Sequence, residues 1–153
     1  MFNPLKKIPT GITSAQDKVN TKFTSAALRG PIGLYILNAG LGKFNADQET
    51  AEGLQGMAAT GLPFVKEIEP KNFASLLAAG ETALGAALLL PFIPNRLAGL
   101  GLTAFSAGLL SMYFGNPENT ESDGIRPSQS GTALAKDSWL TAAGVALLTL
   151  PKK

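Results

Sequence analysis

The stretch FASLLAAGETALGAALLLPF, residues 73–92, decides how this chain is read. It is uncharged apart from Glu81 and has the length, about 20 residues, that a helix needs to cross the ~30 Å hydrocarbon core of a bilayer. A carboxylate near the middle of such a helix is costly in lipid, so Glu81 is expected to face protein, a cavity or a partner. Working outward, three more apolar blocks follow the same pattern: Ala26–Phe44, Leu97–Phe114 and Ala133–Leu150. Block three, LAGLGLTAFSAGLLSMYF, carries no charge on any face, whereas a soluble bundle helix repeats polar residues every third or fourth position. The expected fold is all-α: a membrane-embedded four-helix bundle, with a polar basic N-terminal segment over residues 1–25 and the transmembrane domain over 26–153.

Charge sets the orientation. With the N-terminus inside, the inner segments hold Lys6, Lys7, Lys18, Lys22, Arg29, Arg96, Lys152 and Lys153 against Asp17. The outer segments hold Lys43, Lys66, Lys71, Arg126 and Lys136 against nine acids. The positive-inside rule therefore predicts four spans with both termini cytoplasmic, in a bacterial-type cell membrane. The N-terminus has no signal-peptide h-region, so the first helix is expected to remain as an anchor. Net charge is +2, and the basic residues are not interleaved with stacking aromatics, which argues against nucleic acid.

Between the first two spans, DQETAEGLQGMAATGLPF (residues 47–64) places Leu54, Met57, Ala58 and Leu62 on one side. This predicts a short amphipathic helix at the outer interface, ended by Gly61 and Pro63. The prolines of PFIPN (91–95) force a tight turn, so spans two and three are expected to be antiparallel neighbours. The polar connection 115–132 is expected to be irregular. Glycines and alanines recur along the spans, where small residues permit the close approach that holds helices together in lipid.

The chain has no cysteine and no histidine, which removes disulfides, thiolate chemistry and His- or Cys-ligated metals together. No acidic cluster has the spacing of a calcium loop, so no metal is expected. Counting ~1.5 Å per residue inward from the outer rim puts Glu81 and Asn38 at similar depth. Lys43 can bend inward, and Asp137 enters from the same side on the fourth helix. Glu81, Asn38, Lys43 and Asp137 are therefore expected to form a polar group in the outer half, either a structural network or a site for a quinone head or proton. Arg29 and Arg96 fall near the inner rim, where anchoring or contact with lipid phosphate is expected.

These residues also carry a resemblance. Arg29 followed by PIGLYILNAGLGKF (31–44), the Gly61-Leu62-Pro63 turn, Glu81 with Gly85 after it, Arg96 opening span three, and Lys136-Asp137-Ser138-Trp139-Leu140 entering span four resemble the DoxX family of small four-helix membrane proteins, over about residues 26–150. The resemblance implies membrane oxidoreduction: the family includes a subunit of a thiosulfate:quinone oxidoreductase, and relatives accompany other redox enzymes and respiratory assemblies. Arg29, Lys43, Glu81 and Asp137 match its polar positions, while the lack of cysteine speaks against a thiol or persulfide role. The expectation is a non-catalytic accessory subunit of a larger membrane oxidoreductase or respiratory complex, without a redox cofactor of its own. The alternative is a quinone-binding subunit, with phospholipid or quinone as the bound group.

Overall fold

The computed structural model describes residues 10–151, with side chains from residue 17 onward. These residues form an all-helical chain in the order α1 (Thr10–Lys43), α2 (Gln48–Ala59), α3 (Pro70–Leu89), α4 (Asn95–Gly115), α5 (Thr132–Ala135) and α6 (Ser138–Thr149), with short 3-10 turns at Pro63–Glu67 and Pro117–Asn119. α3 and α4, of 20 and 21 residues, are long and apolar enough to cross a membrane. They meet that test for two of the four predicted spans.

The other two blocks behave differently. Block one lies inside a 34-residue helix that starts at Thr10, so part of the predicted polar segment belongs to α1. The lysines at 6, 7, 152 and 153 fall outside the described residues. Block four is not one helix. It breaks at Lys136-Asp137, where the Trp139 amide reaches back to the Lys136 carbonyl in a tightened turn. The 12 residues of α6 then rise only ~18 Å.

Helix boundaries follow local chemistry. The Asp47 carboxylate caps α2 by accepting from the Thr50 amide at 2.8 Å. Glu69 does the same for α3 through Asn72, and Pro70 supplies the preset first turn. The interhelical connection Gly115–Thr132 is irregular as expected: Gly124 takes a positive φ of 70° in a loop tied to α4 by the Tyr113 hydroxyl, which donates to the Ile125 carbonyl at 2.8 Å.

Packing divides the molecule into two close pairs, α1 with α3 and α4 with α6. α3 and α4 are joined by the predicted tight turn but touch each other far less, each being committed to another partner. Small residues set both pairings. A Cβ added at Gly85 would stand 2.5 Å from the Leu37 amide nitrogen, and one at Gly99 would stand 2.7 Å from the Gly144 carbonyl. The shared core of Ile36, Leu88, Ala98, Leu102, Ala143 and Leu147 lies toward the end of the bundle that carries the proline turn. Toward the other end the two pairs leave space, and the polar side chains gather there.

Candidate functional site

Glu81 belongs to the face of α3 that meets α1. That face is buried at Ala74, Ala78, Glu81, Gly85 and Leu88, a 4-3-4-3 spacing that repeats once per turn. The surrounding positions are small or apolar, so helix geometry alone delivers the carboxylate into the interface, 6% exposed. Its partner is the last residue of α1. The Lys43 ammonium donates to Glu81 Oε2 at 2.7 Å and to the Ala39 carbonyl of its own last turn at 3.1 Å. A cation at a helix C-terminus also suits the helix dipole.

Asp137 stands across from this pair, half-buried, on the broken turn that opens α6. It lines the same cavity of about 160 Å³ as Lys43 and Glu81. Among the described residues its carboxylate has no hydrogen-bond donor and no ion-pair partner, and the turn at 136–137 is what brings it there. A larger cavity of about 390 Å³ adjoins the ion pair on the other side, under α2 and between α3 and α4. Its lining includes Leu54, Met57, Ala58 and Leu62, the residues predicted to share the apolar side of the amphipathic helix.

The structure brings together three of the four predicted polar residues. Asn38 is exposed and lies outside both cavities. Matching depth is not matching face: Asn38 precedes Lys43 by five positions, about 140° around a helix of 3.6 residues per turn.

The two predicted rim arginines part company. Arg96 is exposed on the first turn of α4, where a rim contact is open to it. Arg29 is 5% exposed, its head turned into the protein. Its five N–H groups meet five oxygens at 2.7–2.9 Å: the carbonyls of Ala87, Leu88, Leu90 and Ile93 and the Asn95 Oδ1. The Ser25 hydroxyl, one helical turn earlier, donates to the same Asn95 oxygen at 2.7 Å. Arg29 therefore satisfies the carbonyls that α3 leaves unpaired at its C-terminus and clasps the turn into α4. The sequence carried one trace of this. α3 ends without a glycine cap before Pro91, so some other donor has to meet its last carbonyls.

Among the described residues one buried side-chain group is left without a partner: the Thr82 hydroxyl, beside Gly40 in the α1–α3 contact. No set of three or more His, Cys, Asp or Glu side chains among the described residues is placed to share a metal ion. Chemically, the site offers one ammonium, one carboxylate bound to it and one carboxylate free to accept, at the meeting of two cavities. Searches against protein-family models, curated proteins and solved structures give no match to this chain.

Proposed function

We propose that this chain is a four-pass membrane protein of DoxX type, serving as a non-catalytic accessory subunit of a membrane-bound oxidoreductase or respiratory assembly. The observation that carries the accessory role is the fate of the buried charges. Arg29 commits every donor to the backbone of the α3–α4 turn, and Glu81 is held by Lys43. Groups so engaged hold helices in register. Membrane embedding is supported by α3 and α4, and by large apolar side chains turned outward at Leu34, Tyr35, Leu76, Phe92, Leu97 and Leu100. In this reading α1 supplies the first crossing. α5, the tight turn and α6 together supply the fourth, ~27 Å over residues 132–149. Lys18, Lys22 and Arg96 then lie on the cytoplasmic side. The link to oxidoreduction rests on the motif resemblance. Purification of the chain from its native membrane in mild detergent tests the assembly: co-migration with a redox enzyme is expected, and a chain that always runs alone would remove the reading.

A second reading is favoured by one observation, the unpartnered Asp137 carboxylate beside Lys43, Glu81 and open space. In it, the outer polar centre holds a quinone head group. Glu81→Gln is then expected to alter quinone-linked turnover of the assembly. Unchanged turnover with lowered thermal stability would leave Glu81 a structural role only.

A further inference from the structure

The two cavities differ in chemistry and share a wall. The smaller is bordered by Tyr35, Asp137 and Leu140; the larger by Leu54, Met57, Leu62, Leu77 and Met112. Lys43, Glu81, Phe105 and Leu109 border both. The larger chamber, about 390 Å³, has the size of a small-molecule pocket and is apolar everywhere except at the ion pair. α2 roofs it without filling it, since Met57 remains 54% exposed. Gly108 faces it with open space: a Cβ added there would meet no atom within 4 Å.

We propose that the two adjoining chambers bind a single-chain amphiphile whose head donates hydrogen bonds, a hydroxyl or an ammonium, with its apolar chain in the larger chamber and its head between Glu81 and Asp137. The site is the one the quinone reading uses, but the ligand class rests on the walls and needs no redox turnover. The choice of head follows from the polar inventory. Asp137 is an unengaged acceptor, Glu81 gives one oxygen to Lys43 and keeps another, and Lys43 has two N–H groups already placed. Lys43, Glu81 and Asp137 sum to one negative charge when ionised. A carboxylate or phosphate head would meet that charge in a poorly screening environment, where like charges repel strongly.

The test uses the full chain in nanodiscs of zwitterionic lipid and three photoactivatable dodecyl probes that differ only in the head: hydroxyl, ammonium or carboxylate. The hydroxyl and ammonium probes are expected to label α2 and α4 at Met57 and Leu109, with the carboxylate probe at least ~10-fold weaker. Asp137→Asn is expected to narrow that gap by raising carboxylate labelling. Gly108→Leu is expected to abolish chamber labelling with the thermal unfolding temperature kept. Should that variant unfold, Ala104→Leu, on the same chamber wall, takes its place. Labelling spread over outward residues such as Leu76 and Leu100 and indifferent to the filling variant would overturn the proposal, as would equal labelling by all three heads. Chamber labelling with quinone-linked turnover untouched by Glu81→Gln would remove the redox reading and leave this one standing.

Discussion

α1 turns two cations into the protein, the buried Arg29 at mid-helix and the half-buried Lys43 at its C-terminus, ~21 Å apart along the helix. They have opposite outcomes. At Arg29 every donor meets an acceptor, and the core closes around it. At Lys43 one short ion pair stands between two cavities, with a second carboxylate nearby that has no ion-pair partner among the described residues. A buried charge whose hydrogen-bond capacity is exhausted is part of the fold. One with capacity left over, next to empty volume, is where a ligand has something to gain.

The contrast can be broken most violently at the clasp. Arg29→Ala would leave the carbonyls of Ala87, Leu88 and Ile93 without donors, and unsatisfied buried groups cost ~1–3 kcal/mol each before relaxation. A loss of more than ~3 kcal/mol is expected, read as a large fall in the thermal unfolding temperature. Arg29→Lys should recover little, because an ammonium cannot reproduce the planar fork. Next in size is Gly85→Ala, which drives a methyl into the Leu37 backbone. It should cost ~1–3 kcal/mol by overpacking, measurable by the same melt, and loosen α1 from α3.

At the open end, removing one partner of the ion pair is expected to be worse than removing both. Glu81→Gln strands the Lys43 ammonium and should destabilise by ~1–3 kcal/mol, while the double change Lys43→Met with Glu81→Leu should cost less than the single one. A double-mutant cycle in which the two single costs simply add would show that the ion pair contributes no coupling. Smaller still is Thr82→Val. It replaces an orphaned buried hydroxyl by a methyl of the same shape, so stability should stay within ~0.5 kcal/mol or rise.

The mildest prediction concerns pH in the exposed loop. The Arg126 side chain, and then the amides of Ile125 and Arg126, hold the Asp123 carboxyl below its ordinary value. A depressed folded pKa stabilises above the unfolded value, ~3.9, and that contribution fades as pH falls through the folded one. The protection factors of the Ile125 and Arg126 amides, taken relative to intrinsic exchange at each pH, should therefore be unchanged between pH 7 and 5. They should fall below about pH 3.9, whereas Asp123→Asn should remove the step.

Much of this was legible from residues. The isolated position of Glu81 in an apolar stretch predicted an inward carboxylate. The run from Asp47 to the Gly61 and Pro63 stop placed α2, and PFIPN placed the turn. What was not legible depended on tertiary partners or on exact angles. The acceptors of Arg29 lie 58–66 residues away and all but one are backbone carbonyls, which carry no side-chain signature. Asn38 was placed by depth when its direction around the helix decided the matter. The break at Lys136-Asp137 sits where an apolar count still reads as one block, and it is this break that turns Asp137 toward the ion pair.

The long reach of the Arg29 contacts has a consequence for synthesis. Ala87, the nearest of its acceptors in sequence, is synthesised 58 residues later, roughly 3–12 s at ordinary elongation rates. Throughout that interval the nascent first helix carries a guanidinium with no native acceptor. On the four-pass reading proposed above, the insertion machinery would have to shelter it, or leave it in water, until the proline corner emerges and the helix can lock.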